Sequence, residues 1–350
     1  MTKQKYAMQR LSIFVLTVVC GVLSWSGVAR AADPVACLKN FSDFPQVNLK
    51  RLLDGEIVSE RGTLMNLRTG ISTQSCYATP LSPAETAKRL QEWNPLSHES
   101  LGVYRFHSVS APPDAADFSD LGFKLDKRAV RWLLSKTLTT TVGDSDLNLS
   151  RAESQQIASS LKKNSTPQEV AACWTKLLMA RASAFQSKGF DGVAPYEVSG
   201  EKVSPAEQIR LMVKEKNRIA REFDPLIQKI GLVGGAAALK PSCYWNLFSS
   251  EGYGTLCLGA MYSLPVDDHY LLLDVEYYVS GSYYASATFY EIWPIQAGDK
   301  KGSLVWRGDL FSSGGLAYTK GMERIAYGAI MLLEIKKGIR AFQDDIKAAR

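Results

Sequence analysis

Few side chains in this sequence have the types and spacing that catalysis or metal binding requires. The three histidines, His98, His107 and His269, are far apart, and none has a second histidine four residues away, as a helical zinc site would need. Neither a GxSxG nucleophile elbow nor a Walker A loop occurs. Motifs alone therefore predict no catalytic residue, no metal site and no cofactor.

The aromatic-rich segment 270–294 (YLLLDVEYYVSGSYYASATFYEIWP) is the strongest candidate for a binding surface. Two strand-like runs flank residues 280–282 (Ser-Gly-Ser), so the segment predicts a β-hairpin. In its first strand, aliphatic residues and Tyr277 alternate with Asp274 and Glu276. This alternation predicts one buried face and one face that is at least partly in contact with water.

The register of this hairpin decides which aromatic side chains are buried. A two-residue loop, Gly281-Ser282, fits a type II′ turn because glycine comes first. With this loop, the second strand buries Tyr284, Ser286, Thr288, Tyr290 and Ile292. With a three-residue loop, 280–282, it buries Tyr283, Ala285, Ala287, Phe289 and Trp293 instead. Turn chemistry favours the two-residue loop.

In the favoured register, the buried face carries hydroxyl groups besides aliphatic side chains. Buried hydroxyls need partners, which are backbone carbonyls in a plain core and waters or a ligand in a cavity. Tyrosines that pack under a helix are one interpretation. The other is a mostly apolar small-molecule site with a few orienting hydroxyls. Its candidate ligand-binding residues are Tyr277, Tyr284, Tyr290 and Trp306.

Five cysteines follow residue 31, and no two of them form a CxxC pair. This spacing argues against a zinc ribbon and against a redox pair. Cys243 and Cys257 flank a predicted turn at 249–252, so a cross-strand disulfide between them is possible in geometry if the register allows it. Alternatively, all five cysteines are small buried apolar residues, as free cysteines often are.

Residues 1–31 have the pattern of a secretory signal peptide. Basic residues precede the apolar run 11–25, and Ala29-Arg30-Ala31 provides an A-x-A cleavage site. The run is shorter than the roughly 20 apolar residues that a membrane-spanning helix needs. We therefore predict cleavage near Ala31 and a periplasmic or secreted protein that has no transmembrane segment after signal removal.

The leader also contains most of the excess positive charge. The chain has 41 basic and 35 acidic residues, and four of the basic residues but none of the acidic ones lie before residue 32. The remaining chain is close to neutral, which gives no electrostatic indication of nucleic-acid binding.

The remaining chain predicts an α+β protein. Residues 32–111 predict strands and a short helix that begins at the capping box Ser82-Pro83-Ala84-Glu85. Residues 112–240 predict a large helical insertion. Residues 241–350 predict an antiparallel meander and a C-terminal helix over about 320–347. The first half of this helix (IAYGAIMLL) is apolar nearly all round and is predicted to be buried on several sides.

This order of elements resembles the helix-grip fold of the START/Bet v 1-like (SRPBCC) superfamily. The residues that carry the resemblance are 71–93 (ISTQSCYATPLSPAETAKRLQEW) and the block from Tyr270 to Ile346. The resemblance implies a curved antiparallel sheet that grips the last helix, with an apolar ligand cavity between them. The helical insertion departs from the small members of the superfamily.

Together, these patterns predict an exported protein that binds or shuttles a lipid or other hydrophobic small molecule in a cavity between sheet and helix. One alternative is an envelope enzyme that acts on an apolar substrate through residues such as His107, Glu291 or Asp309, since acid–base sites are set by geometry and not by order in the chain. The other alternative is an envelope protein that binds a protein partner through its helical insertion.

Overall fold

The computed structural model describes residues 33–349 except 124, 125, 144, 199 and 236, and every structural statement below refers to these residues. The predicted signal peptide, residues 1–31, lies outside them. The strands are β1 (Val58–Arg61), β2 (Gly70–Thr79), β3 (Val103–Val109), β4 (Tyr196–Val198), β5 (Glu201–Val203), β6 (Ser242–Ser250), β7 (Tyr253–Val266), β8 (His269–Val279), β9 (Ala285–Ala297) and β10 (Lys300–Ser312).

The helices lie before, between and after these strands. They are α1 (Pro34–Phe41), α2 (Leu49–Leu53), α3 (Pro83–Gln91), α4 (Arg128–Leu138), α5 (Arg151–Ser160), α6 (Pro167–Lys188), α7 (Pro205–Glu215), α8 (Asn217–Glu222), α9 (Asp224–Lys229) and α10 (Gly321–Ala348). Helices α4 to α9 occupy the predicted insertion. The small hairpin β4–β5 also lies there, so the predicted helical insertion contains two short strands.

A curved antiparallel sheet of eight strands forms the centre of the fold. The strand order is β1-β2-β10-β9-β8-β7-β6-β3, and every neighbouring pair is antiparallel. Strands β6 to β10 pair in chain order, as the predicted meander requires. The α+β class, the antiparallel sheet and the long C-terminal helix are therefore confirmed.

Capping chemistry explains where several helices begin. Ser82, Ser150 and Thr166 each accept a hydrogen bond from the backbone N–H of a glutamate three residues later, and that glutamate accepts one in return. Ser204 accepts the same bond from Glu207. These bonds satisfy backbone donors that have no partner within the first helical turn, so each of the four segments begins a helix at its cap, as predicted for Ser82.

The two sides of the sheet are covered by different elements. On one side, which we call the insertion side, residues such as Leu273, Val275 and Phe289 pack against helices that include α4 to α9. On the other side, which we call the α10 side, Leu272 and Ile292 are among the residues that pack against α3 and the second half of α10. The alternation along β8 and β9 thus fills two separate cores.

The two halves of α10 differ in burial. Residues of the second half, such as Ile339 and Phe342, are buried, whereas Met322, Ile330 and Leu333 in the first half are 78%, 54% and 60% exposed. The prediction that the first half is buried on several sides is therefore wrong. This half lies over the edge strand β1 and its neighbour β2, so only one side of the helix, including Gly328, contacts the sheet.

The β8–β9 hairpin has the register that turn chemistry disfavoured. Leu273 lies opposite Phe289 and Val275 opposite Ala287, which corresponds to the three-residue loop 280–282. The favoured two-residue loop is therefore wrong. The cause is tertiary, because Asn148 of the insertion donates its side-chain amide to the carbonyls of Val279 and Tyr283 at 3.0 and 2.6 Å. A distant residue thus holds both ends of the loop.

The structure does not bring Cys243 and Cys257 together. Cys243 lies opposite Ala260, and Cys257 lies opposite Asn246. The two cysteines are thus three positions out of register and project from opposite sides of the sheet. The five cysteines of the described chain are free thiols, and all but Cys37 are buried. This agrees with the alternative interpretation of small buried apolar residues.

Two isoleucine substitutions test the unequal burial of α10. Ile339 is 2% exposed, whereas Ile330 is 54% exposed. Ile339→Ala removes buried methyl groups and leaves a cavity, so it should lower the free energy of unfolding by about 2–5 kcal/mol. Ile330→Ala should change this free energy by less than about 1 kcal/mol. Urea denaturation followed by circular dichroism measures both, and equal losses would contradict the described packing of α10.

Candidate functional site

The α10 side of the sheet changes from apolar to polar along its strands. Next to the apolar core under α3 and α10, neighbouring strands carry charged and hydroxyl side chains at directly opposed positions: Asp309 lies opposite Thr288, and Thr288 lies opposite Asp274. Directly opposed residues have Cβ atoms about 4.5–5.5 Å apart, so their side chains are neighbours. We call this set the acidic patch, and it consists of Asp274, Glu276, Ser286, Thr288, Arg307 and Asp309.

Arg307 and Asp309 form a buried ion pair within the acidic patch. The Nε and Nη2 atoms of Arg307 donate to Oδ1 of Asp309 at 2.9 and 2.7 Å. Thr288 donates its hydroxyl to the same oxygen at 3.1 Å. Burial opposes the charge of the guanidinium, but the adjacent carboxylate outweighs it and raises the pKa of Arg307. The positive charge of this arginine is thus already matched.

Asp274 and Glu276 are held by hydroxyl groups. Tyr244 donates its hydroxyl to Oδ1 of Asp274 at 3.0 Å. Glu276 accepts hydrogen bonds through Oε2 from the hydroxyls of Tyr283, at 2.6 Å, and Ser286, at 2.5 Å. Neither carboxylate forms a salt bridge with a lysine, arginine or histidine of the described chain. The negative charge of the patch therefore exceeds its positive charge.

The environment of Asp274 shifts its protonation into the neutral range. Burial, and then the charge of Glu276, raise the pKa of Asp274 to about 7, although the hydrogen bond from Tyr244 acts in the opposite direction. A carboxyl group with such a pKa can donate or accept a proton at neutral pH, as general acid–base catalysis requires. Shifted pKa values of this kind are concentrated at functional sites.

Aromatic rings border the acidic patch. The ring of Tyr244 lies over Gly259, where an added Cβ would fall 2.1 Å from a ring carbon. Gly259 thus makes room for the tyrosine whose hydroxyl reaches Asp274. Tyr244 also stacks on Phe106, with ring centroids 5.3 Å apart. Both rings are half-buried, so part of their surface is open to a ligand.

A groove of about 330 Å³ lies between the β1–β2 region and the first half of α10. Its lining is mostly apolar but includes Arg61 and Arg324, and we call it the apolar groove. Its apolar residues include Leu64, Met65, Ile71 and Ile325. Ile71 is two residues from Thr73 on β2, and Thr73 lies opposite Asp309. The apolar groove therefore adjoins the acidic patch on the same side of the sheet.

The four predicted ligand-binding residues do not form one site. Tyr277 and Trp306 are fully buried on the insertion side, among other aromatic rings. Tyr284 is half-buried in the loop before β9. Tyr290 lies on the α10 side, where the guanidinium carbon of Arg307 is 5.4 Å from its ring centroid. Only Tyr290 borders the acidic patch.

The residues named for the enzyme alternative are also dispersed. Asp309 belongs to the acidic patch, whereas His107 is half-buried on the edge strand β3. Glu291 lies on the insertion side, and its Oε1 is 3.4 Å from Nε2 of His269. Burial, and then the charge of Glu222, raise the pKa of Glu291 to about 9, so it is mainly protonated at neutral pH. Its Oε2 is buried without a hydrogen-bond partner.

The sequence identified only part of the acidic patch. Asp274 and Glu276 were recognised as the wetter face of one strand, whereas Arg307 was not identified. A signal was present, because charged residues occur two positions apart on both β8 and β10, at 274/276 and 307/309. Such spacing places both members of each pair on one side of a sheet.

Comparison of the chain with protein-family models and with curated proteins finds no match. Within residues 33–349, apart from the five undescribed positions, no helix is long and apolar enough to cross a bilayer. The same residues include no group of three or more His, Cys, Asp or Glu side chains placed to hold a metal ion.

Asp274→Asn tests the raised pKa of Asp274. The pKa of Asp274 is about 7 in the folded protein, whereas its ordinary value is 3.8. The contribution of Asp274 to the free energy of unfolding is therefore fully present below pH 3.8 and is lost as the pH rises through 7. The variant cannot ionise at this position. Relative to wild type, its melting temperature should therefore be higher at about pH 8 than at about pH 5, as scanning calorimetry can measure.

Asp299→Asn is the matched control for this experiment, because Asp299 is exposed in the turn between β9 and β10. This variant should shift the melting temperature by similar small amounts at both pH values. If Asp274→Asn also shifted it equally at both, the raised pKa of Asp274 would be contradicted.

Proposed function

We propose that this protein binds an amphipathic small molecule on the α10 side of its sheet. The acidic patch would hold the polar head, and the apolar groove beside the first half of α10 would hold the hydrophobic part. The observation that carries the proposal is that the acidic patch and an apolar groove of about 330 Å³ lie on the same side of the sheet. Asp309, at one end of the patch, lies on the strand next to β2, which lines the groove. Small-molecule sites usually combine an apolar lining with a few placed polar groups.

The charges of the patch specify the head group. Ionised carboxylates only accept hydrogen bonds, so the head should donate hydrogen bonds or carry positive charge. Arg307 is already paired with Asp309 and is poorly placed to attract an anion. The half-buried rings of Tyr244 and Phe106 would add cation–π attraction to an ammonium group. An amine or hydroxyl head therefore suits the patch better than a carboxylate head.

This proposal keeps the ligand class that the sequence predicted, a lipid or other hydrophobic molecule, and changes its position. The rings of Tyr277 and Trp306 fill the insertion side, so the ligand is assigned to the α10 side. We further propose that the protein acts after export, in the periplasm or outside the cell, as the pattern of residues 1–31 indicates. The resemblance to the helix-grip superfamily implies a ligand in the same region.

A second candidate function is acid–base catalysis on an amphipathic substrate. The pKa of about 7 at Asp274, next to the second carboxylate of Glu276, favours it. The two candidates differ in the fate of the bound molecule. A ligand that co-purifies and keeps its mass during incubation supports a carrier, whereas conversion that stops in Asp274→Asn supports an enzyme.

Three amphiphiles with one alkyl chain and different heads test the proposed function. Dodecylamine, dodecan-1-ol and dodecanoate carry a cationic, a neutral and an anionic head. At neutral pH, dodecylamine should bind most tightly and dodecanoate most weakly, because the patch has more carboxylates than cations. Native mass spectrometry gives the bound fraction of each, and titration calorimetry gives its Kd. Binding of dodecanoate as tight as that of dodecylamine would contradict the proposal.

Glu276→Gln localises this binding. The substitution keeps the size of the side chain and removes its charge, so it should weaken dodecylamine binding by roughly tenfold and affect dodecan-1-ol much less. Glu251→Gln, in the exposed turn between β6 and β7, is the matched control and should leave both affinities unchanged. Equal effects of the two variants would show that the amphiphile binds elsewhere.

A further inference from the structure

The first half of α10 presents a continuous apolar surface to solvent. Met322, Ile330 and Leu333 are more than half exposed, and Ala326 and Ala329 between them are exposed as well. Their spacing places all five on one face of the helix, and the opposite face packs on the sheet. We call these five residues the α10 apolar surface.

Further along α10, the exposed residues on the same face are basic. Lys336, Lys337 and Arg340 follow Ala329, Ile330 and Leu333 at intervals of seven residues, which is close to two helical turns. Lys337 lies 2.6 Å from Glu334 on the flank of the helix, and Arg340 is exposed. The helix therefore presents an apolar section followed by a basic section along one line.

The exposed apolar area continues beyond the helix. Tyr318, just before α10, is 85% exposed, and Leu64, which lines the apolar groove with Ile325, is 84% exposed. Isolated exposed apolar residues are common on protein surfaces, but a contiguous group of them marks an interaction surface. None of these residues belongs to the acidic patch, so the exposed apolar area is a second feature of the molecule.

We propose that the α10 apolar surface, together with Lys336, Lys337 and Arg340, docks the protein onto an anionic lipid surface. In this arrangement α10 lies in the plane of the interface. Its apolar residues enter the boundary between head groups and acyl chains, and its basic residues contact lipid phosphates. Apolar burial and attraction to anionic lipids add to each other in such binding.

Charge is the reason to choose a lipid surface over a second copy of this chain. The exposed face of α10 carries three basic residues within five positions. Of the acidic residues beside it, Glu334 pairs with Lys337 at 2.6 Å and Asp344 pairs with Lys347 at 3.4 Å, which leaves Lys336 and Arg340 as the excess charge. In a symmetric helix pair, the basic section of one copy would therefore meet an apolar or basic section of the other. An anionic lipid surface provides the matching negative charge along the whole line.

Vesicle co-sedimentation tests the docking proposal. The protein is residues 33–350, which form one compact unit with its own core. One set of vesicles is phosphatidylcholine, and the other contains equal parts of phosphatidylcholine and phosphatidylglycerol. The protein should bind the anionic vesicles, bind phosphatidylcholine much more weakly, and dissociate as salt is added because salt screens the lysine and arginine contacts. Absence of binding to the anionic vesicles would overturn the proposal.

Substitutions then locate the docking surface. Ile330→Glu combined with Leu333→Glu should reduce partitioning onto anionic vesicles by at least about tenfold. Val233→Glu alters an apolar residue that is 71% exposed on another part of the surface, and it should leave partitioning unchanged. Circular dichroism of each variant confirms that it is folded. An undiminished partition of the double variant would overturn the proposal.

Two further measurements separate the competing explanations. Sedimentation equilibrium without lipid tests whether the α10 apolar surface binds a second copy of the chain. A wild type that dimerises and a double variant that stays monomeric would overturn the proposal. Glu276→Gln should partition like wild type, since its effect is confined to the acidic patch. If Glu276→Gln lost vesicle binding while the α10 double variant kept it, the lipid would contact the acidic patch, and docking through α10 would be overturned. This conclusion does not depend on the result with dodecylamine.

Discussion

The structure depends on covering two sides of a wide sheet with unequal amounts of helix. Eight strands at about 4.8 Å spacing form a sheet roughly 34 Å wide, whereas one helix with its side chains is about 10 Å across. Several helices of the insertion cover one side. On the other side, α3 and the second half of α10 cover only part of the width. The strand positions on that side that no helix covers are partly exposed, and several of them carry the polar side chains of the acidic patch.

The composition of the patch follows from its partial burial. Carboxylates near a low-dielectric core are destabilised unless hydroxyl or cationic groups support them. Arg307 supports Asp309, and tyrosine hydroxyls support Asp274 and Glu276. The support of Asp274 is incomplete, because its pKa is raised to about 7. Serine or threonine would provide a polar surface there at lower cost, and the presence of an acidic pair supports the ligand-binding or proton-transfer role proposed above.

Signals within a few residues predicted the helices and strands. Contacts between distant residues determined the hairpin register and the acidic patch, which the sequence could not show. Capping residues such as Ser82 and the alternation of the meander predicted where helices and strands lie, because both effects act within a few residues. The hairpin register depends on Asn148, more than a hundred residues away, and turn chemistry could not reveal it. The acidic patch requires knowing that Asp309 and Thr288 are neighbours, which only the strand pairing shows. Similarly, the periodicity of α10 marked an apolar face without showing that it lies over an edge of the sheet.

One helix connects the two proposed activities. Ile325 lines the apolar groove, and Met322 begins the α10 apolar surface one turn earlier. A lipid surface against α10 would therefore lie next to the opening of the groove. Moving an alkyl chain through water costs about 0.8 kcal/mol for each CH₂ group that becomes exposed. If both proposals hold, a groove that opens beside the lipid surface would shorten that aqueous path, and an amphipathic molecule would pass between bilayer and protein with most of its chain covered. The docking proposal would thus explain why apolar residues of α10 are exposed, which packing on the sheet alone does not explain.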